Sequence, residues 1–375
     1  MFKKITSLFT EQKQFRAQPI VSLQTVGQPQ WTPRNYAALA REGFAGNAIG
    51  YRCVRMTAEA ASSIPLLLYQ ADVELTKHPF LTLLKRPNPS QTGRDLIENI
   101  ISYLLVAGNS YIEVSSLEGT PRELVSLRPD RVKVIAGHNG WPDAYEYSVH
   151  GASVRLPAEN VLHIKMFNPL DDYYGQSPLE AAQRSIDTHN SASAWNKAML
   201  DNAARPSGAL VFAASEGRLS NDQFERIKSE LESTYQGASN AGRPMILEGG
   251  LDWKEMGYSP KDMEFTETKN ASAREIALAF GVPPMLLGIP GDNTFANYAE
   301  ANRTFWRQAV VPLLGRVSEA LTHFTGSQFG ADLRLTFDLD QVEALAPDRD
   351  ALWKRVNDAS FLSQDEKRIA IGYSI

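Results

Sequence analysis

The side chains with which this chain could do chemistry are six histidines, one cysteine and a few neighbouring aspartates, spread over 375 residues. Their spacing is unpromising. His78, His138, His150, His163, His189 and His323 form no HExxH or HxH pair, so no helix or strand face carries a zinc-ligand pattern. His163, within VLHIKMF, reads as a strand-face histidine. Cys53 stands alone, which removes intrachain disulfides, CxxC redox chemistry and a Cys-rich metal site. It falls in a helical-looking stretch and reads as a buried structural thiol. No glycine is followed by lysine, so there is no phosphate-cradling P-loop, and Gly43, Gly46 and Gly50 have the wrong spacing for a dinucleotide fingerprint. The GxSxG nucleophile elbow is missing. Asp338 and Asp340 in FDLD share one strand face, where a cation site would need a third ligand; a solvated strand face is the commoner meaning. Asp171-Asp172 before Tyr173 reads as a turn. No catalytic residue, metal or cofactor is expected.

The charge balance points the same way. Lys plus Arg is 38 and Asp plus Glu 43, a formal net charge of −5. Proteins that grip DNA or RNA do so through clustered Lys and Arg, which this balance disfavours. It leaves room for a protein that lets nucleic acid pass without holding it. Apolar residues at 43% and charged residues at 22% are those of a globular chain, which excludes wholesale disorder, collagen and coiled-coil arrays. MFKKITSLFTEQKQF is too short in apolar residues for a signal core, and runs such as Ile64–Tyr69 fall well short of the ~18 residues a membrane span needs. A soluble, cytosolic chain without membrane contact is expected.

What positions these residues is a mixed, α+β order of elements. Residues 1–40 read as a loose arm. Ile49, Cys53, Met56 and Ala60 recur at helical spacing until Pro65, and Leu66–Tyr69 follow as a short strand. The stretch QTGRDLIENIISYLLVAGNSYIEV reads as an amphipathic helix that ends at Gly108-Asn109, a left-handed cap, and runs into a strand at Tyr111–Val114. Residues 121–167 alternate short β-branched runs with Pro and Asn139-Gly140, the pattern of an antiparallel meander. Ser177, Pro178 and Glu180 then write a helix start, and the helix is expected to run to about Ala204. Its faces are mostly Ala, Ser, Asn and Gln, too few large apolar residues for a private core. A compact insert at 207–260 and a helix at 261–282 complete a hairpin with a head on it. A Pro/Gly loop, 283–292, presents exposed-looking Met285, Leu286 and Leu287. The next helix carries a periodic aromatic and aliphatic face and contains Pro312, which predicts a kink. A strand, LRLTFDLD, and a helical tail finish the chain.

This order, and four motifs within it, resemble the portal proteins of tailed bacteriophages, specifically the small type found in long-tailed phages and gene transfer agents. The motifs are NAIGYRCVRMTAEAASSIPLLLY, LLVAGNSYIEV, YYGQSPLEAA and AREIALAFGVPPMLLGI. The likeness spans about Asn47 to Phe324, and the compact length and short tail lean towards the gene-transfer-agent variant.

The resemblance implies a ring, a dodecamer, at one capsid vertex of a virion or phage-like particle, assembled in the host cytoplasm. Double-stranded DNA would pass through it without sequence specificity during packaging and ejection. Its implied partners are the major capsid protein, the head–tail adaptor and, transiently, the large terminase. Residues 41–176 and 293–345 would form the wing, 177–206 and 261–282 the stem, 207–260 the clip, 283–292 the tunnel loop and 346–375 the crown. Met285, Leu286, Leu287, Ile289, Asp292 and Asn293 would then border the channel, with core-plugging as the alternative for the apolar four. Lys261, Lys269 and Arg274 are candidates to face phosphates; the alternative is i,i+4 pairing with acidic neighbours. Phe224, Lys228, Tyr235 and Trp253 would serve docking at the clip. The competing expectation is a soluble α+β enzyme with an unrecognised active site.

Overall fold

Asparagines start the first two helices. In the computed structural model, which describes residues 31–71, 73–201, 208–212, 220, 222, 225–229, 251–255, 265–291 and 295–372, Asn35 accepts a hydrogen bond from the Ala38 amide at 2.9 Å. It thereby caps α1 (Tyr36–Leu39), which passes into a π-turn at Ala40–Ala45. Asn47 Oδ1 accepts from the Ile49 and Gly50 amides and opens α2 (Ala48–Ser62). The last part of the expected arm is therefore helical, and Thr32 reaches Asp187 through both its amide, at 2.8 Å, and its hydroxyl, at 2.5 Å.

The apolar face of α2 is small: Cys53, Val54, Ala58 and Ala61 are all 0% exposed. Small side chains let a neighbour come close. That neighbour is α4 (Gly93–Ala107), preceded by β1 (Leu66–Gln70), β2 (Val73–Glu74) and α3 (Pro79–Lys85). A reciprocal Thr92–Asp95 capping box starts α4, and Gly108 at φ 71° ends it, as its sequence predicts. Leu96, Ile100, Ile101 and Leu104 point inward from α4 and are completely buried. At ~1.5–3 kcal/mol per large aliphatic side chain, this helix pair supplies much of the drive to fold.

The β region differs from the single meander expected. β3 (Asn109–Leu117) is the middle strand of one antiparallel sheet, between β4 (Thr120–Leu127) and β8 (Val161–Lys165). β5 (Val132–Ala136), β6 (Pro142–Val149) and β7 (Ala152–Pro157) make a second sheet. Pro129, in the 3-10 turn after β4, has no N–H to extend the ladder, and the chain leaves the first sheet there. Tyr111, Leu127, Val132, Tyr145 and Val161 then form a core of their own between residues of both sheets.

Three backbone segments meet beside Gly108. Its carbonyl accepts from the Met166 amide at 2.8 Å, and a Cβ on Gly108 would stand 2.4 Å from the Gly175 carbonyl oxygen. Asn109 stitches the corner: Oδ1 accepts from the Gly175 amide at 2.8 Å, and Nδ2 donates to the carbonyls of Ala107 and Gly175. Two residues later Ser177 caps α5 (Pro178–Ala181) through the Glu180 amide.

The long helix expected from 177 to about 204 is interrupted at Ala182 and resumes as α6 (Gln183–Asp201). The interruption coincides with the crossing of the Thr32 segment, whose carbonyl accepts from the Gln183 side chain. β9 (Gly208–Phe212) and β10 (Leu251–Glu255) pair antiparallel, and α7 (Phe265–Ala279) returns along α6. Ser185 donates to Glu275 at 2.5 Å, and the Trp195 and Phe265 rings stack 3.9 Å apart. These two pairs lie ten residues apart on each helix, or ~15 Å along the hairpin.

Near residues 186 and 276 the hairpin is not short of cover. Ala182, Ile186, Ala273, Ile276 and Ala277 are buried, and Ile186 and Ile276 belong to the main core. Only the outer half fits the expectation of a rod without its own core, and even there the stacked aromatic pair ties the helices together.

Pro312 does not bend a continuous α-helix. α8 (Phe295–Phe305) ends in a π-turn, Trp306–Val310, before α9 (Val311–Phe324) begins, and Pro312 sits in the first turn of α9, where its missing N–H costs little. β11 (Leu333–Phe337) pairs with β1, and α10 (Ala346–Asp358) and α11 (Gln364–Ala370) finish the chain.

Candidate functional site

The Pro/Gly loop after α7 is built on that helix. Pro283 and Pro284 start a 3-10 turn over Pro284–Leu287, which Gly288 closes in the left-handed region at φ 71°. The Ile289 amide donates back to the Pro284 carbonyl at 3.2 Å, so the loop folds on itself. Ala273 and Ala277, one turn apart on α7, leave a shallow notch, and Ile289 fills it at 5% exposure. Leu286 and Leu287 are half-buried against the main core, as Met285 is half-buried in the loop. Of the two readings of the loop's apolar residues, Ile289 takes the core-plugging one, while Met285, Leu286 and Leu287 are partly covered and partly open. A proline-rich run looks exposed because nothing nearby in sequence covers it; two alanines and the core residues beneath do.

Arg274 lies on the exposed side of α7 and donates to the Pro290 carbonyl. It ties helix to loop, a different contact from the i,i+4 acidic pairing weighed above. Lys269, half-buried on α7, lies close enough to His189 for its charge to add to burial in lowering that imidazole's pKa. Lys228 is an exposed residue of a helical segment, and the Trp253 backbone pairs with Leu210. Lys261, Phe224, Tyr235, Asp292 and Asn293 lie outside the described residues.

The groups singled out for chemistry are occupied otherwise. His163 stacks on Tyr111 with centroids 4.2 Å apart, and its Nε2 lies 3.0 Å from Asn109 Oδ1. Burial, helped by the Lys165 charge, pushes its pKa down to about 3, so it is a neutral structural imidazole. Burial lifts the Cys53 thiol to about 12, which keeps it an inert core group. Asp338 caps the turn at Leu339–Gln341, and Asp340 pairs with Arg349 at 3.7 Å. β11 ends at Phe337, so the two aspartates do not share a strand face. Among the described residues no cluster of three His, Cys, Asp or Glu could hold a metal, and no helix is long and apolar enough to cross a membrane.

Sequence reasoning passed over the turn after β8. Phe167 and Leu170 stand 79% and 85% exposed there. The available signal was two large apolar residues flanking Asn168-Pro169 just before two aspartates, in a segment otherwise written as a turn.

The phage portal protein family model matches residues 48–372. An uncharacterized protein of Rickettsia bellii is 41% identical over 339 residues, 88% of each chain. The probable portal protein of Streptomyces phage phiC31 is 27% identical over 336 residues, 85% of this chain and 73% of its own. Among solved structures, a chain in the neck of a native gene transfer agent particle, computed with C12 symmetry, is 53% identical. The match covers 92% of this chain and 96% of that one, with a TM-score of 0.70.

Proposed function

The chain belongs to the phage portal protein family, and from that premise we propose that it forms the ring through which double-stranded DNA enters and leaves a gene-transfer-agent-like particle. The portal sits at the particle vertex, in the neck. The observation that carries this reading is the α6/α7 hairpin. It is anchored in the core at the end near Ile186 and Ile276, and a loop is folded down on α7 beside that anchorage. Such a hairpin suits the stem of a ring, with residues 41–176 and 293–345 as wing, 207–260 as clip, 283–292 as tunnel loop and 346–375 as crown. The outer half of the hairpin buries little in its own chain, and neighbouring copies are the natural cover.

Electrostatics support a conduit. Twelve copies at −5 carry about −60 formal charges, which repels a polyanion from most of the surface while local cations such as Arg274 and Lys269 steady it. The clip would meet the head–tail adaptor and, during packaging, the large terminase; the wing would meet the major capsid protein. The role is structural. No specific observation favours the enzyme alternative.

Negative-stain imaging of the purified full chain tests the ring: closed rings are expected, and a species that stays monomeric at high concentration overturns it. Deleting residues 207–260 tests the clip. Particle assembly should stop at adaptor attachment while the remainder unfolds with its normal transition; a remainder that no longer folds rejects that modular assignment.

A further inference from the structure

The turn that carries Phe167 and Leu170 is held from within. Asn168 donates to the Tyr174 carbonyl at 2.9 Å and accepts from the Leu170 amide at 3.0 Å. Asp171 Oδ1 accepts from the amides of Tyr173 and Tyr174, at 2.7 and 3.0 Å. The Lys165 ammonium donates to the Asp172 carbonyl, and Arg316 on α9 donates to the Lys165 carbonyl at 3.1 Å. A turn with this many internal bonds presents its two apolar side chains in a fixed arrangement. Pre-ordering of this kind lowers the entropy cost of docking.

A groove of about 380 Å³ lies elsewhere on the chain, between the π-turn with the start of α9 and the C-terminal helices. Val311, Leu352, Trp353 and Ile371 give it an apolar floor, and Arg307 and Arg349 stand at its rim. Asp340 and Asp348 also line it and face these arginines at 3.7 and 3.9 Å. The Arg307 contact is too long for a hydrogen bond, and that side chain is 61% exposed. Val311 borders the groove and Arg316 holds the turn. Five residues apart at 100° each, they point about 140° away from one another on α9. Turn and groove therefore belong to different sides of the same helix.

Rings of rotational symmetry are closed by head-to-tail contacts, in which one patch meets a different patch on the next copy. We propose that Phe167 and Leu170 of each copy insert into the groove of the next around the ring, with the exposed Asp172 carboxylate against Arg307. The occupant is a second copy of this chain because the apolar turn carries acid, the apolar groove carries an under-engaged arginine, and a relative 53% identical stands in a neck computed with C12 symmetry. The inference rests on the ring reading above.

Chemical cross-linking decides it. The double variant Phe167→Cys/Leu352→Cys, assembled as full-length rings and treated with a short bismaleimide, should give a ladder of covalent multimers. Each single variant, and the wild type with its buried Cys53, should give none. Intact rings without a ladder overturn the proposal. In a second arm, Phe167→Asp/Leu170→Asp should lower ring yield about tenfold or more, as expected for a buried anchor pair, while the melting temperature of the monomer is unchanged. Rings at wild-type yield overturn it as well; if this variant misfolds, the cross-link alone decides. A wild-type chain that never forms rings sinks both the ring reading and this contact, and is recognised because the unsubstituted protein fails.

Discussion

The α2/α4 interior and the outer half of the α6/α7 hairpin are both helix pairs, yet they are held by opposite means. In the first, aliphatic side chains at 0% exposure interlock along the whole length of α4. In the second, one face-to-face pair, Trp195 on Phe265, bridges helices whose described residues nearby are mostly Ala, Ser, Asn, Thr, Lys and Glu. The first pair is complete within one chain. Among the described residues, the outer half of the second buries little in its own chain. Apolar residues are thus divided unequally: the α2/α4 body is covered by its own chain, and the described part of the hairpin's outer half is covered much less.

The largest effect that would sharpen this contrast is Leu104→Ala. Removing a fully buried leucine should cost about 2–5 kcal/mol and lower the midpoint of denaturant unfolding of the whole chain. A loss below about 1 kcal/mol would break the idea of a tightly packed interior. Next in size is the pH response of His163. Its folded pKa is depressed to about 3, so the unfolded chain binds a proton below about 6.5 that the folded chain refuses. Stability is full above about 6.5 and falls as pH drops towards 3, by up to ~1.4 kcal/mol per pH unit from this group. The difference in denaturant midpoint between wild type and His163→Gln should follow that slope; parallel profiles would show that the imidazole is not held neutral.

Trp195→Ala should act locally. Amide exchange around residues 195–201 and 265–270 should quicken severalfold, while global unfolding shifts by no more than about 1 kcal/mol, since the lost aromatic pair stabilises only the outer end. Exchange accelerated in α4 would mean that hairpin and interior are one cooperative unit. Smallest is Arg274→Ala, which removes the tie to Pro290. Faster exchange of the Ile289 amide with a global change of only tenths of a kcal/mol is expected; unaltered exchange would leave the Ile289 plug as the whole attachment of the loop.

Much of this architecture is legible along the chain because it depends on local signals. Ser177 with Glu180 marks a helix start, Gly108 a helix end, and Asn139-Gly140 a turn before β6, where Gly140 adopts φ 82°. What escapes is whatever depends on distant partners. The pairing of β3 with β8 splits the expected meander, yet those strands lie some fifty residues apart and carry no mark of each other. Whether Ile289 borders a channel or plugs a core stays open along the chain until Ala273 and Ala277 are placed beside it. Arg274 has acidic neighbours in sequence, but it bonds to a carbonyl sixteen residues away. The π-turn before Pro312 escapes for another reason: an extra residue in a helical turn leaves no compositional trace.

The corner where Gly108, Met166 and Gly175 touch has a mechanical meaning. Main chain packs closely on main chain there, and the Asn109 side chain that spans the joint is fixed by bonds to both the amide and the carbonyl of Gly175. Load applied along the hairpin would reach the strands through a stiff joint, much as a strut bears on a rigid hub.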